Sequence, residues 1–235
     1  MRLLRDRGAR LQAVIFDLFE TLVTELNLPV RRAGSLASDL GLDAMAYKRE
    51  WRLRRPEIVL GRCTFRDALR QIISELGGVA DDGVLDELRA ERIAQKAAVL
   101  TRVEPEILAT LSELRRRGLK LGLVTNAFAE DVRGWEQSPL HACFDASVFS
   151  CIAGLVKPNP AIYLAACKEL GVTPQQALFV GDGGDDELSG ARSAGLATAR
   201  ALWFASQWPN TTIGPDDPGL RRIGEVFEAV KGLGT

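Results

Sequence analysis

Histidine is almost absent from this 235-residue chain: His141 is the single one. One imidazole cannot build an intramolecular multi-histidine metal site, and it leaves one candidate for any histidine-based triad. Cysteine is nearly as sparse. Cys63, Cys143, Cys151 and Cys167 are scattered with no C-x-x-C pair, so they read as buried thiols and not as a disulfide framework or zinc site. Neither sign of charge is in excess, since 30 Lys and Arg face 31 Asp and Glu. That balance excludes the basic footprint of a dedicated nucleic-acid binder. No segment approaches the roughly 20 apolar residues of a membrane-spanning helix. The basic start, MRLLRDRGAR, runs into LQAVIFDLFETLV, which Asp17 and Glu20 interrupt and which has no small-residue cleavage site; it does not read as a signal peptide. The expectation is a soluble cytoplasmic protein, monomer or homodimer, with neither nucleic acid nor membrane as partner. Internal repeats and low-complexity tracts are missing too.

What is present is ordinary in amount, at 46% hydrophobic and 26% charged residues, and a chain of this length can bury a sizeable core. The order is more informative. Ala13-Val14-Ile15-Phe16 is a short apolar run ending at Asp17, as expected of a strand buried on both faces of a parallel sheet. Residues 34–40, 44–55, 65–76 and 84–99 then show apolar positions at three-to-four spacing, with Thr64 placed as an N-cap and Gly77 as a stop. Alternation resumes with a helix over 106–117, a strand over 119–124, a short polar helix over 129–136 and a strand near 147–149. A helix over 160–170, a strand over 177–180, a helix over 187–194, a strand over 198–203 and a closing helix over 218–233 complete the chain. The pattern predicts an α/β fold: a Rossmann-like open parallel sheet core, residues 1–23 and 101–235, with an inserted all-helical domain over 24–100.

Three of these strands end in polar residues: Asp17, Thr125-Asn126 and Asp182. In open α/β sheets the ligand crevice lies beyond the carboxyl ends of the strands, so these residues converge there. Lys157, in Gly154-Leu155-Val156-Lys157-Pro158, is held on a loop close to the next helix start. Asp182, Asp185, Asp186 and Glu187 form an acidic run whose mutual repulsion needs a cation, and carboxylate oxygens suit Mg²⁺. Asp185 reads as the acidic first turn of a helix. His141, outside every motif, reads as a partly buried structural residue, and Trp51-Arg52-Leu53-Arg54-Arg55 as a solvated helix face. Trp203, Phe204 and Trp208 read as core packing.

The four segments resemble, in order, the motifs of the haloacid dehalogenase superfamily of hydrolases. Asp17-Leu18-Phe19-Glu20-Thr21 matches the first, Thr125 the second, Lys157-Pro158 the third, and Gly181-Asp182 with its following acids the fourth. The resemblance implies that Asp17 is a nucleophile forming an aspartyl intermediate. It also implies that Thr21 supports the loop after Asp17, that Thr125 and Asn126 hold the transferred group, and that Lys157 neutralises charge and orients Asp17. Mg²⁺ would be bound by Asp17, the Phe19 backbone carbonyl and Asp182, with Asp186 or Glu187 behind; Asp186 is favoured because aspartate is the commoner type there. The helical insertion would be a cap that selects a small, phosphorylated substrate. One position departs. The phosphatases of the family carry a general acid and base where this chain has Phe19, and Glu20 is the nearest alternative acid. An aromatic there resembles the metal-independent 2-haloacid dehalogenases, whereas the complete acidic run resembles the Mg²⁺-dependent phosphatases. The acidic run puts phosphate-ester hydrolysis first, with dehalogenation or a non-catalytic binding module as alternatives.

Overall fold

The structure, a computed structural model, describes residues 10–26, 33–207 and 219–233. Five strands, β1 (Ala13–Phe16), β2 (Lys120–Thr125), β3 (Ala146–Phe149), β4 (Ala177–Gly181) and β5 (Ala197–Arg200), form one sheet in the order β3-β2-β1-β4-β5. Every neighbouring pair is parallel. β1 lies in the middle with all four residues buried, because a strand covered on both faces needs apolar side chains at every position. Val14 and Phe16 point into one core layer and Ala13 and Ile15 into the other.

Helix α5 (Pro105–Arg116) covers the first layer through Ile107, Leu111 and Leu114, joined by α9 (Val226–Leu233). Helices α7 (Pro160–Leu170) and α8 (Glu187–Ser193) cover the second. The short α6 (Ser150–Ala153) follows β3. Strand order reverses at β1, which sends one connection to β2 and receives β4 on its other side. That reversal opens a crevice at the carboxyl ends of β1 and β4.

Among the described residues, four helices stand between β1 and α5: α1 (Ala33–Asp39), α2 (Ala44–Val59), α3 (Phe65–Glu75) and α4 (Asp82–Thr101). They have their own core of Tyr47, Ile58, Phe65, Leu69, Ile72 and Leu85, which also takes in Phe128 from the loop after β2. Asp43, Thr64 and Asp81 cap α2, α3 and α4 through side-chain acceptors. Helix α2 continues through Pro56 to Val59, beyond the expected end near residue 55.

Several expectations are corrected. Residues 129–136 hold turns and a single 3₁₀ turn, Trp135–Gln137, not a helix; Asp131 accepts from Phe128 N at 3.1 Å and ties the segment into a turn. The closing helix is shorter than expected, running only from Val226 after a 3₁₀ turn, Ile223–Glu225. Pro218 and Trp208 lie outside the described residues. His141 is exposed, edge-on to Trp135. All four cysteines are free, but only Cys167 is buried. Phe204 is buried, and Trp203, half-buried, donates its indole N–H to Thr21 O at 2.8 Å. No described helix is long and apolar enough to cross a membrane.

Candidate active site

Asp17 is the first residue past β1, and its backbone N–H donates to Val180 O at 2.9 Å, which keeps it in register with β4. The residue is 4% exposed. The loop beyond it is closed by main-chain bonds from Leu22 N and Val23 N to Leu18 O, and from Glu20 N to Val23 O. Thr21 Oγ1 is buried with no hydrogen-bond partner among the described residues, so its hydroxyl does not make the expected support. Thr21 contributes through its carbonyl, the acceptor for Trp203.

Lys157 enters from the loop before α7, across a cis peptide bond to Pro158. Its Nζ donates to Asp17 Oδ1 and to Glu187 Oε2, each at 2.5 Å, and it is 5% exposed. Asn126 holds this lysine by its backbone. Its Nδ2 donates to Lys157 O at 3.1 Å and to Asp185 Oδ2 at 2.9 Å, while its Oδ1 accepts from Lys157 N at 2.9 Å. Both amide donors are therefore committed to the scaffold, and Asn126 also lines the cavity. Thr125, at the end of β2, is buried and lines the cavity.

The acidic run divides in a way its composition does not reveal. Asp185 and Asp186 both take left-handed backbone conformations, φ +50° and +52°. These two residues turn the chain so that Asp186 is exposed and Glu187 is buried. Glu187, not Asp186, joins Asp17 and Asp182, with carboxylate oxygens within 4.8 Å of one another. Two glycines make this possible. A Cβ on Gly181 would lie 2.1 Å from Glu187 Oε1, and one on Gly190 would lie 2.2 Å from Pro158 O, so α8 can press against the Lys157 loop. Asp185 does more than begin a helix: it accepts from Asn126 and pairs with Arg55 of α2 at 3.3 Å.

Burial raises the Asp17 carboxyl to about 6 against the pull of the Lys157 ammonium, with the Glu187 charge adding to the rise. Burial likewise raises Asp182 and Glu187. For Lys157, burial works against the charge, but the Asp17 and Glu187 carboxylates outweigh it and hold the ammonium on. Asp185 is lowered, because the Asn126 amide and the Arg55 guanidinium outweigh burial. Three inward carboxylates against one ammonium leave a surplus of negative charge in a poorly solvated place.

These groups line one side of a cavity of about 560 Å³. The opposite wall comes from the helical insertion: Leu36, Trp51, Arg55, Val59, Arg92 and Lys96. Arg92 pairs with the buried Asp131 at 2.6 Å and lies over the Phe128 ring, 4.5 Å from its centroid. Trp51 and Arg55, read from the sequence as parts of a solvated face, thus reach the cavity. Arg92 and Lys96 escaped sequence reasoning, yet α4 carried a signal. With Leu85, Leu88 and Val99 they stand at three-to-four spacing on one stripe, where a soluble helix places apolar residues.

A buried strand-end carboxylate facing a cavity, with an ammonium against it and more acids behind, is the equipment of a hydrolase. More narrowly, the chain belongs to the haloacid dehalogenase-like hydrolase family, whose model matches residues 11–195. It is 41% identical over 99 residues to the glyceraldehyde 3-phosphate phosphatase of Methanopyrus kandleri, a match covering 41% of this chain and 42% of that protein. It thus spans under half of that relative's length. It is 32% identical over 200 residues to the N-acetylmuramic acid 6-phosphate phosphatase of Pseudomonas aeruginosa, covering 81% of each. Its fold is like that of the 2-haloacid dehalogenase from Pseudomonas syringae pv. tomato DC3000, at a TM-score of 0.65 and 22% identity over 94% of this chain and 99% of that one.

Proposed function

We propose that the chain is a Mg²⁺-dependent phosphomonoesterase acting on a small phosphorylated metabolite, with Asp17 as nucleophile. The observation that carries this reading is the surplus of carboxylate around Lys157, with Asp17 and Glu187 buried and Asp182 half-buried. Asp17, Asp182 and Glu187 converge with three formal negative charges against one positive, all offering hard oxygen donors. That donor set fits Mg²⁺, which takes carboxylate oxygens and leaves room for waters and a phosphate. Asp17, Asp182 and Glu187 would hold the ion; bound there, it would neutralise the charge of the phosphoryl group and of the carboxylates around it.

The chain's own groups do the rest. The Asp17 carboxylate attacks phosphorus, and a covalent aspartyl intermediate divides the reaction into two easier steps. Lys157 Nζ fixes the orientation of Asp17 and offsets charge as it develops. Thr125, at the cavity end of β2, donates its hydroxyl to an oxygen of the transferred group. The α2 and α4 wall covers the site as a cap and selects the remainder of the substrate, while Arg55–Asp185 links it to the core.

Phe19 favours a second reading, dehalogenation of a 2-haloacid, in which the leaving halide needs no proton. One assay separates the two. Purified protein is expected to release phosphate from p-nitrophenyl phosphate with Mg²⁺ and to stop when the metal is chelated. Halide release from 2-chloropropionate that persists with chelator, without phosphatase activity, would reverse the assignment.

The same cluster sets a pH dependence. Each carboxylate whose pKa is raised on folding favours the folded state when protonated. That contribution is full below the ordinary carboxylate range and is lost as pH rises through about 6, the Asp17 value. A cation replaces the proton above that pH. At 100 times its dissociation constant it adds about 2.7 kcal/mol, or about 5–10 °C in Tm for a chain of this size. Thermal melts are expected to show that Mg²⁺ shift at pH 7.5 and to lose most of it at pH 5. An equal shift at both values would place the metal elsewhere.

A further inference from the structure

The phosphomonoesterase reading leaves one step without a residue, because position 19 holds a phenylalanine and an alkoxide leaving group needs a proton. We propose that Lys96 of α4 donates that proton, reaching from the helical insertion to the place that the position-19 side chain faces. The proposal rests on the phosphomonoesterase reading.

Lys96 is 8% exposed, and its Nζ stands over the Phe19 ring, 4.3 Å from the centroid. It lines the same cavity as Asp17, Phe19 and Lys157. Among the described residues its ion-pair partner is Glu25, on the loop that follows Asp17, and this carboxylate holds the ammonium at the ring face. A lysine on the inner stripe of a helix costs desolvation unless it is paired or used, and this one is paired so that its head faces the cavity. Glu20, the acid nearest in sequence, is already engaged: it accepts from Thr24 Oγ1 at 2.7 Å and from Glu25 N at 2.9 Å.

Direction supports the same residue. In phosphoryl transfer the attacking and leaving oxygens lie roughly in line. Asp17 attacks from the sheet side, so the ester oxygen departs toward the helical wall, which carries Lys96. In the first half-reaction the Asp17–phosphorus bond forms and the ester O–P bond breaks, its electron pair staying on oxygen, which takes a proton from Lys96 Nζ. In the second half-reaction a water oxygen attacks phosphorus, the Asp17 O–P bond breaks, and the proton shed by that water returns to the neutral Lys96 amine. One water is consumed, an alcohol and phosphate are formed, and both residues are regenerated. The same residue thus serves as acid and then as base.

Leaving groups of different acidity test this. Nitrophenolate departs without a proton, whereas the alkoxide of glycerol 2-phosphate does not. K96M and K96R are each expected to lower kcat/KM for glycerol 2-phosphate, which reports the half-reaction up to release of the alcohol, by about 10²–10³-fold. The loss of kcat/KM on p-nitrophenyl phosphate is expected to be at least ten-fold smaller, although kcat falls on both where the shared second half-reaction limits turnover. K96R carries the second half of the argument, since it keeps the charge and the Glu25 pair but guanidinium does not surrender a proton. Equal losses of kcat/KM on the two esters, or wild-type kcat and kcat/KM in K96R, would each overturn the proposal. A wild-type protein without Asp17-dependent cleavage of p-nitrophenyl phosphate would instead overturn the phosphomonoesterase reading, and this proposal with it.

Discussion

Asp17→Asn is expected to abolish turnover, with kcat reduced by at least about 10⁴-fold, because an amide cannot form the covalent intermediate. The fold should survive the change. Asn keeps the shape of the side chain, and Asp17 N still reaches Val180 O across the sheet. Without metal, the variant should melt at or above the wild-type temperature at pH 7.5, since it removes one of three crowded carboxylates, itself buried. Its Mg²⁺-induced shift should shrink, because one oxygen donor of full charge is gone. This combination distinguishes loss of a nucleophile from loss of structure. Retained phosphate release in Asp17→Asn, measured with the protein folded by circular dichroism, would remove Asp17 from the reaction.

Lys157→Met should have the largest effect on stability. Its ammonium is the partner of both Asp17 and Glu187, each at 2.5 Å and both almost wholly buried. Removing one side of a buried pair leaves the charge on the other side uncompensated, at about 3–5 kcal/mol, which for a chain of this size is about 6–20 °C in Tm. Activity should fall as well, by about 10²–10³-fold, the loss typical of one preorganised donor at a developing charge. Acidification should recover part of the lost stability, because protonating Asp17 and Glu187 removes the repulsion that the lysine relieved. A variant melting within a degree or two of wild type at pH 7.5 would show that the carboxylates are satisfied by something other than Lys157.

Much of the core was legible from residue order. The strands ending at Asp17, Thr125 and Gly181 are apolar runs stopped by polar or glycine residues, and burial on both faces of a parallel sheet requires that pattern. Lys157 was legible because Gly154 before it and Pro158 after it confine it to a loop. The division within the acidic run was not. Asp186 and Glu187 are equally acidic, and only two consecutive left-handed residues, with the gap left by Gly181, decide which one turns inward. The α4 wall was hidden for another reason. Lys96 and Arg92 acquire meaning from Glu25 and Asp131, 71 and 39 residues away, and such pairings have no short-range signature. Asn126 shows the converse, a polar residue at a strand end whose amide proved to be fastened to a loop backbone 31 residues on.

The three non-glycine residues with positive φ among the described residues, Glu20, Asp185 and Asp186, all fall in the loops after β1 and β4. Aspartate tolerates that conformation better than most residues, whereas glutamate adopts it at a cost on the order of 1 kcal/mol. The least comfortable backbone among the described residues therefore coincides with the segments that aim the carboxylates. A search for thermostable variants would find its easy gains on the outer helices and meet resistance here. Relaxing these turns would make a sturdier protein whose acids no longer converge.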